Sequence, residues 1–430
     1  MFRKIKGTAD LLPEQIRCWQ KVETHIRHLF AKYHLQEIRT PIIEYQGVFE
    51  RAAQHSEMVS KETYSFLDKK KRWLTLRPEG TAGIVRSYVE NKLDKTSQLY
   101  KFFYYGPCFR YERPQKGRYR QFHQMGVEML GLSSPFLDIE VVTLAYETLK
   151  SLGIKNLKVN INSLGDQSSY HHYLQVFKNY LQNKHHHLCS LCQERMHKNI
   201  LRIWDCKVCY CQPFLKEAPK MFNYLTKEAN QRFLKVLDGL KASQVNFDIC
   251  HDLVRGLDYY THTVFEIVVV NNDHQEVLGG GGCYDHLVSN FGGDQTPGIG
   301  FALGMERIML ALTQTSFCQP DQCFVLDIFL LSLDPCFFDQ AFALVQTLRH
   351  QGFKTTFNYV FLPFAKALKQ AFKTNPRYLL ILGEQEFVNG QITIKNTVTK
   401  KQATILQKDM ILYLKQSSNK ARRIIKINEK

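Results

Sequence analysis

Between residues 14 and 33 the apolar side chains Ile16, Trp19, Val22, Ile26, Leu29, Phe30 and Tyr33 recur at three- and four-residue steps. That spacing lines one face of an α-helix. Pro13 fits the first turn, where its missing N–H would have no intrahelical partner in any case. The next run, Leu35 to Ile43, reads as a strand broken by Pro41, which cannot donate to a ladder and belongs at an edge, a bulge or an interface. Apolar, β-branched and aromatic runs recur at Trp73 to Leu76, Leu99 to Tyr105, Phe122 to Met129, Thr263 to Val270 and Gly298 to Ala302, divided by polar turns. The pattern predicts a mainly antiparallel sheet, an α+β core rather than a βα alternation.

Two stretches depart from it. Residues 168–245 are rich in His, Lys and Gln with helical spacing at Tyr173, Val176, Phe177 and Tyr180, which predicts a helical insertion. From Phe324 strands and helices alternate: strand Phe324 to Leu331, helix Phe338 to Gly352, a short segment through Phe357, helix Phe364 to Phe372, strands Tyr378 to Leu382 and Gln391 to Lys395, and a terminal helix. A core over residues 1–320 followed by a small α/β domain over 324–430 is the expected division.

The chain has 430 residues, 44% apolar, 12% aromatic and 23% charged. These values exclude a small stapled scaffold, a collagen-like repeat and long disorder. A formal net charge of +17 favours a polyanionic partner such as nucleic acid. Residues 321–430 alone carry 16 Lys and Arg against 8 Asp and Glu. The stretch Phe324 to Leu333 contains Asp327 and is too short to span a bilayer, and Met1 to Glu14 has no apolar signal segment, so a cytoplasmic protein with no membrane attachment is expected. Its 12 cysteines are then expected as reduced, mostly buried thiols.

Two segments carry chemistry. FRYERPQKGRYRQFHQMGVEMLG, Phe109 to Gly131, sets Arg110, Arg113, Lys116, Arg118 and Arg120 around Pro114 and Gly117. Strands joined by such a loop would aim several guanidinium forks at one phosphate-bearing ligand, although a charge run of this kind also suits a solvated hairpin. GGDQTPGIGFALGMERIM, Gly292 to Met309, places Gly298, Gly300 and Gly304 ahead of Arg307, which would let a flat ligand approach the backbone under an arginine. Together they resemble motif 2 and motif 3 of class II aminoacyl-tRNA synthetases. LTLRPEGTAG (Leu74 to Gly83), RPQKGRYRQFHQ (Arg113 to Gln124) and LVRGLDYYTHTVFE (Leu253 to Glu266) narrow the resemblance to the histidyl-tRNA synthetase family. It extends from GTADLLP near Gly7 through KETYSFLD and INSLGD to ILGEQEFVNGQITIKN, Ile381 to Asn396.

The resemblance implies a class II antiparallel core flanked by helices, a helical insertion, a C-terminal anticodon-binding domain and a homodimer with Pro41 of motif 1 at its interface. It implies attachment of L-histidine to tRNA(His) through histidyl-adenylate, with ATP as substrate and Mg²⁺ on its phosphates. On this sequence Glu79 and Thr81 would meet the histidine ammonium, with Gly80 between them also in the substrate site and Gln124 on the substrate backbone. Glu128 and Tyr260 would hold the imidazole nitrogens and Tyr259 would complete the pocket. Arg110 would hold the ATP α-phosphate, Arg118 and Arg307 the outer phosphates or adenine, and Arg255 the reacting carboxylate together with the α-phosphate. Histidine offers an ammonium, a carboxylate and an imidazole, so acidic groups and paired hydrogen-bond partners suit it chemically. The run Gly279 to Gly282 reads either as a flexible turn or as backbone that approaches the ligand.

Cys189, Cys192, Cys206, Cys209 and Cys211 contain two CxxC pairs with thirteen residues between them, a spacing that suits tetrahedral zinc. Reduced thiols are the alternative, and no catalytic metal is expected. His171, His172 and His185 to His187 read as solvated surface. Two rival functions share the core: a catalytically silent regulatory subunit of a histidine-biosynthetic phosphoribosyltransferase, and a pure RNA-binding module. The first would lose RGLDYY, GMERI or the last domain; the second would not need both Glu79 and Glu128.

Overall fold

The computed structural model describes residues 2–54, 56–206, 208–271, 274–313, 315–317 and 326–417. It divides into two units, Met1–Gln319 and Pro320–Lys430. The strands of the first unit are β1 (Gln36–Glu37), β2 (Ile43–Tyr45), β3 (Tyr64–Leu67), β4 (Trp73–Leu76), β5 (Tyr100–Phe109), β6 (Gln121–Leu130), β7 (Leu157–Ser163), β8 (Phe247–Ile249), β9 (Thr261–Asn271), β10 (His274–Cys283) and β11 (Gly298–Gly304). Eight of them form one sheet in the order β1-β5-β6-β11-β10-β9-β7-β8. The mainly antiparallel sheet expected from the sequence is present, with parallel pairing at its two edges, β1 on β5 and β7 on β8. A second sheet, β2-β4-β3, is built from the segment around Pro41. The single strand expected over Leu35 to Ile43 is thus two short strands in different sheets, with Pro41 between them.

The main sheet separates two cores because strand side chains alternate. One face carries Met125, Val127 and Met129 of β6, Phe265 and Ile267 of β9, and Ile299, Phe301 and Leu303 of β11. Helix Pro13–Lys32 packs there through Trp19, Val22, Ile26 and Phe30, the stripe expected from its periodicity. Each such side chain stabilises the fold by roughly 1.5–3 kcal/mol relative to exposure. Helix Pro135–Lys150 lies on the same face, contributing Val141, Val142 and Leu144. The 168–245 stretch is not one insertion: Tyr173, Phe177, Leu188, Trp204 and Leu215 form a separate small core, whereas Phe233, Val236 and Leu240 of helix Lys227–Ala242 belong to the core of the main sheet. The other face of the sheet bears a smaller core around Tyr88, Tyr104, Leu130 and Tyr284, and the cavity described below.

The second unit holds β12 (Leu326–Ser332), β13 (Thr355–Phe357), β14 (Pro376–Leu382), β15 (Gln391–Asn396) and β16 (Gln402–Leu406) in the order β13-β12-β14-β15-β16. β12 pairs parallel with β13 and β14, and the last strands are antiparallel. Helices Phe338–His350 and Phe364–Lys373 supply Ala341, Val345 and Leu348 to one core and Ala367 and Ala371 to another, on opposite faces of the sheet. This explains why β12 and β14 read as continuous apolar runs. Residues 410–417 are helical, and the basic end after 417 lies outside the described residues. Among the described residues eight cysteines are free thiols. Cys18, expected as a reduced thiol, is in a disulfide.

Candidate active site

Period-2 alternation decides which residues reach the cavity. On β6, Met125, Val127 and Met129 point into the helix-covered core, so Gln124, Gly126 and Glu128 point the other way. On β11, Gly300, Ala302 and Gly304 share that side, and Gly300 pairs directly with Glu128. A Cβ at Gly300 would collide with the Glu128 carboxylate, and one at Gly126 would collide with the Tyr104 ring. Glycine here is therefore a matter of space. The run Gly279 to Gly282 is neither turn nor loop: it lies in the second half of β10, paired with β9 and β11 on both sides. The cavity over these strands measures about 230 Å³.

One cluster on its wall is acidic. Glu79 is 5% exposed and Glu128 1%. Glu79 accepts hydrogen bonds from the backbone N–H groups of Thr81 (2.6 Å) and Ala82 (2.9 Å), at the start of helix Thr81–Glu90. These amides would otherwise be unpaired, and a carboxylate is favoured at that helix end. Burial nevertheless raises the Glu79 carboxyl above its ordinary value, against those amides and Arg110. Glu128 accepts from the Thr81 hydroxyl at 2.6 Å and from the Tyr284 hydroxyl. Burial pushes its carboxyl up to about 8, the two hydroxyl donors opposing the shift and Glu79 adding to it. Gln124 is buried beside them, with its side-chain oxygen 3.5 Å from the Tyr104 hydroxyl. Tyr259 and Tyr260 pack with ring centroids 4.7 Å apart, and Tyr259 meets Tyr284 edge-on.

The second cluster is cationic. Arg110 lies over the Phe122 ring and donates through Nε to the Pro78 carbonyl at 2.9 Å. Glu112 is 3.9 Å from Arg110 and 3.5 Å from Arg118. Arg307 donates to the Val277 carbonyl at 2.6 Å. Burial, together with repulsion from Arg118 and Arg110, lowers its proton affinity below the usual guanidinium value. Arg255 is paired with Glu266 across the edge of the cavity, and its buried Nε has no hydrogen-bond acceptor. Such an orphaned donor costs about 1–3 kcal/mol unless a ligand meets it. Glu79, Thr81, Gln124, Glu128, Tyr259, Tyr260, Arg110, Arg118, Arg255 and Arg307 all line this one cavity. Gly80 does not; it precedes the helix, and a Cβ there would overlap the Tyr104 ring.

The family model described as "Histidyl-tRNA synthetase" matches residues 7–308, and that described as "Anticodon binding domain" matches residues 327–417. This chain belongs to the histidyl-tRNA synthetase family. The histidine–tRNA ligase of Onion yellows phytoplasma is 69% identical over 414 residues, which cover 96% of this chain and 98% of that protein. The histidine–tRNA ligase of Listeria monocytogenes serotype 4b is 42% identical, covering 94% and 97%. The apo histidyl-tRNA synthetase of S. aureus superposes with a TM-score of 0.83 at 35% identity, covering 96% of this chain and 100% of that one. A structure from Bacillus halodurans titled as a phosphoribosyltransferase regulatory subunit/histidyl-tRNA synthetase has a TM-score of 0.63 at 22% identity, covering 89% and 98%, and shares the fold. The reaction class of this synthetase is accordingly the charging of tRNA with histidine.

The synthetase cavity also contains groups that the sequence did not single out. Tyr284 holds Glu128, Glu112 sits between two arginines, Glu266 pairs with Arg255, and Glu306 accepts the His123 N–H at 3.0 Å. Glu306 adjoins Arg307 in GMERI and Glu266 ends the LVRGLDYYTHTVFE segment, so both lie inside motifs legible in the sequence. Tyr284 follows the glycine strand with no local signal of its own.

Proposed function

We propose that this chain activates L-histidine with ATP, forming histidyl-adenylate and pyrophosphate, and then passes the histidyl group to the 3′ end of tRNA(His). The reading is carried by one juxtaposition: buried carboxylates and a set of guanidinium groups that line a single cavity. Glu79 and Thr81 would meet the ammonium and Gln124 the substrate backbone. Glu128 and Tyr260 would take the imidazole nitrogens, with Tyr259 closing the pocket. Arg110 would hold the α-phosphate, Arg118 and Arg307 the outer phosphates or adenine, and Arg255 the α-phosphate and carboxylate together. A carboxylate oxygen of histidine forms its bond to the α-phosphorus as the bond to the bridging oxygen breaks, and pyrophosphate leaves with that electron pair. No proton transfer is required, so charge neutralisation and alignment do the work and no triad is needed.

Mg²⁺ needs oxygen ligands in near-octahedral array. The only cluster of metal-ligand side chains among the described residues is made of cysteines, so no carboxylate cage is present and the donor set suits an ion carried on ATP phosphates. Glu112, which lies among the arginines, would be a carboxylate within reach of such an ion, and the ion would withdraw charge from the phosphates. A homodimer in the cytoplasm completes the reading. It is supported by the β2-β4-β3 sheet beside Pro41, which leaves Ile43, Tyr45, Phe66, Leu67 and Trp73 exposed. The test is ATP/pyrophosphate exchange: exchange with histidine and with no other amino acid is expected. No exchange with any amino acid would favour the silent paralogue.

A further inference from the structure

Outside the cavity, the four cysteines Cys189, Cys192, Cys206 and Cys211 converge, with Sγ atoms all within 4.8 Å of one another. All are buried, and none is in a disulfide. Cys189 and Cys192 bracket the start of helix Ser190–Lys198, Cys206 follows the turn Ile200–Asp205, and Cys211 ends the next turn, so two short backbone segments meet at the sulfurs. Zinc in a tetrathiolate site, with Zn–S of about 2.3 Å, sets ligand sulfurs about 3.8 Å apart along each edge of the tetrahedron. The Cys189 and Cys206 sulfurs are 3.8 Å apart. Backbone N–H groups already point at the sulfurs, Cys192 N–H to Cys189 Sγ at 3.4 Å and Cys189 N–H to Cys211 Sγ at 3.3 Å. Contacts of that kind orient and stabilise thiolate ligands. Without a cation, the same four thiols would gain only weak S–H contacts.

We propose that Cys189, Cys192, Cys206 and Cys211 bind one structural Zn²⁺, which staples the small core and, through it, the short helix Glu57–Lys61 beside the active site. Four Zn–S bonds form, the four thiols give their protons to solvent, and the ion sheds its water. The site is closed, so the metal does no chemistry on substrate. Its two ligand segments carry Arg195 and Arg202. Arg195 grips both Glu57 oxygens at 3.1 Å and donates to the Arg202 carbonyl at 2.9 Å, while Arg202 lies 3.6 Å from Glu57. Next to Glu57, the Ser56 hydroxyl donates at 2.9 Å to the carbonyl of Gly256, the residue after Arg255. A metal that fixes Arg195 and Arg202 therefore fixes residues 56–61 against the cavity edge.

The full chain, purified under reducing conditions without added chelator, should contain about one zinc per chain by elemental analysis. Co²⁺ exchanged into it should show sulfur-to-metal charge transfer and the intense d–d bands of a tetrahedral site. Cys192→Ser should reduce bound zinc to about a tenth or less, with Cys336→Ser as the unaffected control. Because Cys192→Ser could unfold the segment outright, the unmutated chain is also stripped of metal by mercurial titration and followed by amide exchange. Faster exchange at both 189–211 and 56–61, reversed by zinc, is expected. A chain without zinc that also takes up no Co²⁺, iron in its place, or a Cys189–Cys206 disulfide in the reduced preparation would overturn the site; unchanged exchange at 56–61 on stripping would overturn the staple.

Discussion

The acidic and cationic clusters of the cavity are built by different means. Glu79 and Glu128 are almost wholly buried and bound to amides and hydroxyls of the chain itself. Arg118 keeps 47% of its side chain exposed, and Arg110 keeps 25%. A dry carboxylate with its orientation fixed by donors punishes any ligand that cannot supply the matching N–H, which is how selectivity arises. Partly solvated guanidinium groups discriminate less, but they can adjust to a polyanion that arrives with its own hydration. Arg255 belongs to the cationic cluster by charge, yet like the carboxylates it is held by the chain itself: it is paired with Glu266 and its buried Nε is short of an acceptor.

Arg255 should therefore show the largest effect. Lysine keeps its charge but loses the planar fork that can hold an α-phosphate and a carboxylate together. Arg255→Lys should lower kcat for adenylate formation by tens- to thousands-fold, about 2–4 kcal/mol, with smaller changes in the KM for histidine and ATP. Pre-steady-state adenylate formation measured beside a thermal melt decides the matter. A variant with kcat near wild type and a lowered Tm would make Arg255 a buttress for Glu266 and erase its place among the reacting groups.

Burial of Glu128 has a consequence for stability. A folded carboxyl raised to about 8 holds its proton where the unfolded one has lost it, so the folded state is favoured at low pH and loses that advantage as pH rises toward 8. Gln is neutral at every pH and can still partner both Thr81 and Tyr284, so Glu128→Gln should gain stability relative to wild type as pH rises. At pH 7 the gain should approach about 3 kcal/mol as an upper bound, from 1.36 kcal/mol per pK unit. Melts of both proteins at pH 5, 7 and 9 read the divergence; parallel curves would show that Glu128 is ionised without cost, and the contrast between dry and wet clusters would fail. The same substitution should raise the histidine KM by about 10- to 100-fold, because an acceptor for an imidazole N–H is weakened in a dry pocket. Unchanged KM and amino-acid selectivity would remove Glu128 from the specificity site.

Most of this arrangement could be read before the fold was seen, for a physical reason. The helix Pro13–Lys32 and the strands around Gln124 and Gly300 announce themselves by periodicity, and the arginines lie in short ordered segments. What the sequence hid depends on pairing. The run Gly279 to Gly282 has the composition of a loop and becomes a strand only because neighbours on both sides supply its hydrogen bonds. Tyr284 joins the acidic cluster only through its reach to Glu128, 156 residues away. The helix Lys227–Ala242 has the same polar character as the segment before it, yet buries its stripe on the main sheet. The zinc-like cysteine pattern was visible in the sequence, and the fold brings the sulfurs of Cys189, Cys192, Cys206 and Cys211 together.

The smallest expected effect belongs to Arg118, and it sharpens the comparison from the wet side. Its only described charge partner is Glu112 at 3.5 Å, with nearly half of the side chain in solvent, and exposed pairs of this kind contribute about 0–1 kcal/mol. Arg118→Ala should leave the histidine KM and the fold alone and raise the ATP KM by only a few-fold, about 1 kcal/mol, since Arg307 and Arg110 remain to meet the phosphates. Added salt should shrink the difference between the two proteins, as screening acts on exposed charges and spares buried ones. An ATP KM raised a hundredfold and insensitive to salt would mean that Arg118 is enclosed once ATP binds, and the cationic cluster would then be as dry in its working state as the acidic one.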